Sequence, residues 1–162
     1  MILQYKLTEA AKALKESTSI DCTPKRQHSL DAGFDLRACI TEPLKVFPEE
    51  VVKVPTGVCV WLGSDIEEDV EPADMLLAGL YLPRSSTKGL QLTNTVGLLD
   101  AGYQHESFCK WINKSNETVT INPGDRMAQL VIIPVIIGEW EKVDEFRSTS
   151  DRGAGDGSSG VS

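Results

Sequence analysis

A carboxylate and a phenol ring stand three positions apart in Asn94-Thr95-Val96-Gly97-Leu98-Leu99-Asp100-Ala101-Gly102-Tyr103. The stretch reads as a hairpin: apolar residues run from Val96 through Leu98 and Leu99, and Gly97 and Gly102 allow tight turns. A carboxylate set among apolar residues and glycines is poorly solvated unless it has a task or a partner. One reading makes Asp100 a general base beside a ring, Tyr103, that packs on a substrate. The other makes it a turn aspartate capping its own backbone, with Tyr103 an ordinary half-buried strand residue.

A second group able to do chemistry lies at the far end. Arg147 to Ser162 is rich in Gly and Ser and contains Arg152-Gly153-Ala154-Gly155-Asp156-Gly157-Ser158-Ser159-Gly160. By composition it is a disordered tail. It also has the makings of an arm that orders on a ligand. Glycines let backbone N–H groups approach phosphate oxygens, and Arg152 adds a forked cation.

Short strands must position these groups. Ile2 to Leu7 alternates apolar and polar residues and predicts a strand. Thr8 to Glu16 has the highest helix propensity in the chain, with Thr8 as N-cap. Ser17 to Ser29, broken by Pro24, predicts a surface loop. Phe34, Leu36, Ala38 and Ile40 alternate with Asp35, Arg37 and Cys39, a strand with one apolar face. Val46 to Pro48, Val51 to Val54 and Val58 to Leu62 predict three more, with a turn at Pro55-Thr56-Gly57. Leu80 to Leu82 leads into Pro83-Arg84-Ser85-Ser86. Ser107 to Ile112 and Thr118 to Ile121 read as a strand pair, and Arg126 to Ile137 as a core strand bent at Pro134. Glu139 to Phe146 is expected to finish the folded body. Many short strands punctuated by Gly and Pro predict an antiparallel sandwich or barrel.

Bulk properties narrow the function. At 162 residues, one domain is expected, and 41% hydrophobic content can fill one core. Sixteen basic residues against 24 acidic ones leave a net charge of −8. That argues against direct nucleic-acid binding, which needs clustered Lys and Arg, but leaves room for a small phosphate ligand. Cys22, Cys39, Cys59 and Cys109 form no C-x-x-C pair, and His28 and His105 are too scattered for zinc. Reduced thiols in a cytoplasm are the expectation. No signal pattern or membrane-length apolar run is present in the sequence. Two Asn-x-Ser/Thr patterns, at Asn113 and Asn116, read as coincidence. Residues 63–78 carry Asp65, Glu67, Glu68, Asp69, Glu71 and Asp74 and predict a solvated acidic insert rather than a metal loop.

Five segments in order carry a family resemblance. Ala32-Gly33-Phe34-Asp35-Leu36, Pro83-Arg84-Ser85, Asn94 to Tyr103, Gly124-Asp125-Arg126-Met127-Ala128-Gln129, and in part Arg152 to Gly160 resemble the motifs of trimeric deoxyuridine triphosphate nucleotidohydrolases, the dUTPases. The resemblance implies an all-β jelly roll, a distorted antiparallel barrel, over residues 1–146, with a flexible arm over 147–162. It implies a homotrimer with active sites shared between subunits, hydrolysing dUTP to dUMP and pyrophosphate. Magnesium would be held mainly by the triphosphate and waters, with no direct protein ligand. Asp100 would activate the attacking water, and Tyr103 would pack under the deoxyribose. Asn94 and the backbone at Gly97 would read the uracil edge. Arg84, Ser85, Ser86 and Gln129 would hold phosphate oxygens. Arg152, Gly153 and Ser158 would close over them, and Asp35 and Asp125 would support the phosphate region from behind.

The chain departs from the pattern at three places. Asp156 stands near the point where the family's arm carries a Phe that stacks on uracil. His105 replaces a Gly before Glu106, and Ser86 replaces a Gly after Pro-Arg-Ser. Other readings are a dCTP deaminase of the same fold, with Glu106 as its acid–base group, and a trimeric nucleotide-binding module that signals to a protein partner through the acidic insert. A plain structural jelly roll would leave Arg84, Asp100, Gln129 and Arg152 without a purpose.

Overall fold

The longest strands carry the architecture. The computed structural model describes residues 3–63, 75–87, 89–94 and 96–146. The strands are β1 (Gln4–Leu7), β2 (Gly33–Arg37), β3 (Leu44–Val46), β4 (Val51–Trp61), β5 (Met75–Pro83), β6 (Leu90–Leu92), β7 (Gly97–Leu99), β8 (Glu106–Asn113), β9 (Val119–Ile121) and β10 (Arg126–Ile136). One helix, α1 (Glu9–Thr18), follows β1. One four-stranded sheet has the order β1-β4-β8-β6, a second β2-β10-β5-β7, and β3 and β9 form a two-stranded ribbon. Every pairing is antiparallel. This is the all-β antiparallel class that the strand pattern predicts, and it agrees with the jelly roll that the family resemblance implies.

Two apolar clusters join the layers. One combines Leu36 of β2, Val58 and Val60 of β4, Tyr81 of β5, Leu99 of β7 and Leu130 of β10, with Ala11 and Leu14 of the helix against them. The other combines Val54, Leu92, Cys109, Trp111, Ile121 and Ala128. Burying each Val or Leu stabilises the fold by roughly 1.5–3 kcal/mol. The helix is fixed by Thr8, whose Oγ1 accepts from Ala11 N at 3.2 Å, and ends at Ser19 in the left-handed region, φ 66°. It runs two residues past the expected Glu16, because Ser17 and Thr18 turn their hydroxyls back onto Ala13 O and Leu14 O.

Pro55-Thr56-Gly57 does not break the chain into two strands. β4 runs through it as a bulge, with the register against β8 slipping between Pro55 and Cys59. Gly57 sits at φ 71°, and a Cβ there would meet Ala11 Cβ at 2.6 Å and Cys39 Sγ at 2.8 Å. Glycine thus serves both the bulge and the close approach of the helix.

Four other expectations are corrected. β8 and β9 do not pair: β9 joins β3, and β8 lies between β4 and β6. The turn between them is organised around Asn113, which is wholly buried. Its Nδ2 donates to Val46 O at 2.8 Å and Glu117 O at 2.7 Å, and its Oδ1 accepts from Ser115 N and Oγ. An amide so placed is closed to glycosylation in the folded chain. The Asn94–Tyr103 stretch is not a self-paired hairpin, since β7 pairs with β5. Met75 to Ala78, expected within the acidic insert, belong to β5 and pair with Ile136 to Ile133 of β10. Finally, Glu139 to Phe146 adds no regular element, and Trp140 and Phe146 are exposed. Residues 64–74 of the acidic insert and the arm from 147 lie outside the described residues.

β10 keeps its register through Pro134, opposite Leu77. Its pairing with β2 ends at Val131, so the proline falls where one edge is free of a ladder. No helix among the described residues is long and apolar enough to cross a membrane. All four cysteines are buried and unpaired, and burial pushes the Cys22 and Cys109 thiols up to about 12. Native protein is therefore expected to react slowly with an alkylating thiol reagent near pH 7.5 and to release all four thiols in denaturant. Fast native labelling of Cys22 or Cys109, read by mass spectrometry, would contradict this packing.

Candidate active site

Seven of the sequence-predicted residues line two cavities of one chain: Arg84, Ser86 and Asp125 the first, and Asn94, Gly97, Asp100 and Tyr103 the second. The first, about 360 Å³, is lined by Arg84, Ser86, Thr87, Asp125, Arg126 and Met127, among others. The second, about 240 Å³, is lined by Asn94, Gly97, Asp100 and Tyr103 together with Lys53, Tyr81, Glu106 and Phe108.

The first cavity is built on Asp35. It is buried on β2, which pairs with β10 at Gln129↔Asp35 and Arg126↔Arg37. Arg84 leaves the end of β5 and places Nε 2.9 Å from Asp35 Oδ1. Arg126 Nη1 lies 3.4 Å from Oδ2, which also accepts from Gln27 Nε2 at 2.9 Å. The Arg84 and Asp35 side chains are 19% and 10% exposed. A pair this shielded is screened less than a surface pair, and it needs its hydrogen bonds to offset desolvation. The arrangement holds two guanidinium groups against one carboxylate, which suits phosphate oxygens. Asp125 performs a different service: its Oδ2 accepts from Asn122 N at 2.8 Å, holding the Asn122–Asp125 turn, while its carbonyl accepts from Ala38 N.

Gln129 lines neither cavity. Its Nε2 donates to Pro83 O at 3.1 Å, and its side chain fills the space where a Cβ at Gly33 would stand, 2.6 Å from Oε1. In this chain it braces the residue before Arg84. Ser85 and Ser86 are exposed, and Ser86 faces the first cavity.

The second cavity lies against β7. A Cβ at Gly97 would meet Tyr81 Cδ2 at 2.9 Å and Asn94 Nδ2 at 3.3 Å, so glycine lets this backbone close on both. The Tyr81 hydroxyl shares a 2.6 Å hydrogen bond with Ser107 Oγ, and burial pushes its pKa up to about 12. Asp100 follows β7 and is exposed, and its carbonyl, not its carboxylate, accepts from Tyr103 N at 3.1 Å. Among the described residues no hydrogen-bond donor sits on that carboxylate. Among the described residues the Asp100 side chain therefore does not cap its own backbone. Tyr103 is fixed at both ends, its hydroxyl donating to Glu106 O at 3.2 Å and its ring meeting His105 edge-on at 5.6 Å. Glu106, a candidate acid–base group, instead accepts from Gly57 N at 2.8 Å through Oε1. Arg152, Gly153 and Ser158 lie outside the described residues.

The family model described as dUTPase matches residues 21–160. The chain belongs to the dUTPase family. A dUTPase chain from Legionella pneumophila, named deoxyuridine 5'-triphosphate nucleotidohydrolase, is 43% identical over 145 residues, covering 86% of this chain and 89% of that one. A relative of the same name from Coxiella burnetii is 41% identical, covering 80% of each chain. Among solved structures, a variant dUTPase of Staphylococcus bacteriophage 80alpha with dUpNHpp superposes at TM-score 0.73 with 29% identity over 99% of both chains. A variant dUTPase of S. aureus phage phi11, described for its coordination of a structural Mg(II) ion, gives TM-score 0.69 and 27% identity over 91% of this chain and all of that one.

Two contributors to this dUTPase cavity escaped the reading of the sequence. Arg126 lay inside a quoted motif, and its charge next to Asp125 was the available signal. Gln27 sits in a polar loop with no distinguishing pattern. It reaches Asp35 because Lys25 bridges to that residue, Asp35 N donating to Lys25 O at 2.9 Å. Asp35→Asn removes the one countercharge that Arg84 and Arg126 share. It is expected to cost about 3 kcal/mol, the penalty for stranding a buried partner, measured as a lower urea midpoint at unchanged m-value.

Proposed function

We propose that the protein hydrolyses dUTP to dUMP and pyrophosphate, with Asp100 activating the water that attacks the α-phosphorus. The observation that carries the reading is the division of labour between the cavities. One presents a carboxylate that no donor among the described residues engages, beside Asn94 and Tyr103; the other presents Arg84 and Arg126 on a single buried aspartate. A nucleoside triphosphate has these two ends. In-line displacement at phosphorus needs an aligned water, a base and countercharge.

Asn94 and the backbone at Gly97 pair with the uracil edge, so a base with donor and acceptor exchanged leaves buried polar groups unsatisfied. Tyr103, held by Glu106 O and His105, packs against the sugar and excludes a 2′-hydroxyl. Arg84, Ser85 and Ser86 take phosphate oxygens, Arg152, Gly153 and Ser158 close over them, and Gln129 acts by setting Pro83. Magnesium would neutralise phosphate charge, carried chiefly by the triphosphate with its waters. Both Asp35 oxygens are engaged by Arg84, Gln27 and Arg126, so that carboxylate already serves the guanidinium groups.

We further propose a homotrimer, in keeping with the family, in which the first cavity of one subunit and the second of another make one site. Four unpaired cysteines suit a cytoplasmic setting. The deaminase reading is disfavoured because the Glu106 carboxylate is spent on Gly57 N in the β4 bulge.

Pyrophosphate release measured with dUTP, dCTP, dTTP and UTP is the first test, and release from dUTP alone is expected. Asp100→Asn should keep dUTP affinity while turnover falls by about 10²–10⁴, the usual worth of a general base. Wild-type turnover in that variant would remove Asp100 from the role. Co-refolding Asp100→Asn chains with Arg84→Ala chains should regain turnover well above either parent, because some mixed sites draw both intact cavities. No regain would place both cavities of one chain in the same site. A chain ending at Ser150 should keep its melting temperature and lose most of its hydrolysis; full activity would leave the arm without a part in closure.

A further inference from the structure

The second cavity contains an aromatic ring that none of these roles uses. On β8 the buried residues Ser107, Cys109, Trp111 and Asn113 point to the interior, and the alternate positions Phe108, Lys110 and Ile112 face outward. Phe108 therefore belongs to neither apolar cluster, yet it lines the wall that also carries Asn94, Gly97, Asp100 and Tyr103. A large aromatic on the outward face of a sheet is not required by the core.

Its surroundings are arranged at a cost. Lys53 Nζ lies 3.7 Å from the Phe108 ring centroid, close contact for a cation on an aromatic face. Lys53 stands directly opposite Lys110 across the β4–β8 ladder, and like charges so opposed repel. Among the described residues neither lysine is in an ion pair with an acid. The ring is thus held in orientation by a cation whose position opposite Lys110 does not favour stability.

We propose that Phe108, clamped by Lys53, is the stacking platform for the pyrimidine ring of the substrate. A flat heterocycle gains most from a rigid aromatic face, and stacking makes no demand on the hydrogen-bonding edge that Asn94 and the Gly97 backbone read. The cavity then grips the base by its face through Phe108 and by its edge through β7. The proposal rests on the dUTP reading above.

The test compares steady-state kinetics with dUTP in the wild type, Phe108→Leu, Phe108→Trp and Lys53→Met, with thermal melting and sedimentation alongside. Loss of one base stack is worth about 1–3 kcal/mol, so Phe108→Leu should raise KM at least about fivefold. Its kcat should stay within about twofold. Phe108→Trp should restore KM, and its fluorescence should quench on addition of dUMP. Lys53→Met should raise KM by a smaller factor with kcat unchanged.

An unchanged KM in Phe108→Leu overturns the platform while wild-type hydrolysis keeps the dUTP reading. Absence of wild-type hydrolysis and binding removes both. If Phe108→Leu fails to fold, an unquenched tryptophan in Phe108→Trp overturns the proposal on its own. Dissociation of the oligomer in Phe108→Leu, with KM restored at high protein concentration, would make the ring an interface residue and overturn it likewise.

Discussion

The Asp35 carboxylate is the constraint on which the arginine-lined cavity depends. It draws donors from three places far apart in sequence: Gln27 in the loop after the helix, Arg84 at the end of β5 and Arg126 at the start of β10. A buried charge left without partners would cost several kcal/mol, so these segments are held in one arrangement or the site is lost. The same interaction aims Arg84. With Nε bound to Asp35, the guanidinium's remaining N–H groups project from a fixed plane. Preorganisation of this kind lowers the reorganisation needed when a charged ligand arrives.

β10 transmits that constraint to the rest of the fold. It is the interior strand between β2 and β5, and β5 in turn carries β7 with Gly97 at its start. The first and second cavities are thus tied to successive strands of one sheet. The opposite sheet supplies the far wall of the second cavity through Lys53 and Phe108. Both halves rest on apolar clusters that cross between sheets, so neither cavity depends on loops alone.

Much of this was legible in the sequence where local pattern and tertiary demand agree. The alternation that starts at Phe34, the apolar run from Arg126 and the Thr8 cap point to elements that are found, although β2 stops at Arg37, short of the expected Ile40. Pairing was less legible. Ser107–Ile112 and Thr118–Ile121 look like neighbours, but Asn113 anchors the intervening turn to Val46, and the second segment goes to β3. Pro55-Thr56-Gly57 carries turn chemistry and serves a bulge, a choice decided by the helix packed on Gly57. At the candidate site, the motif resemblance named Arg84, Asn94, Asp100 and Tyr103, and these residues line the two cavities. That resemblance could not show that Gln129 would brace Pro83, or that Gln27 would complete the shell around Asp35, because both depend on distances between strands.

Asn113 has a consequence for how the protein ages. Spontaneous deamidation of asparagine requires the next residue's backbone nitrogen to swing onto the side-chain carbonyl. Here Lys114 N is engaged with Gly89 O at 2.8 Å, and the Asn113 amide is committed through both its oxygen and its nitrogen. The turn cannot reach the cyclic intermediate without first unfolding. Chemical wear at this position is therefore governed by the opening of β8, and the asparagine endures for as long as the strand does.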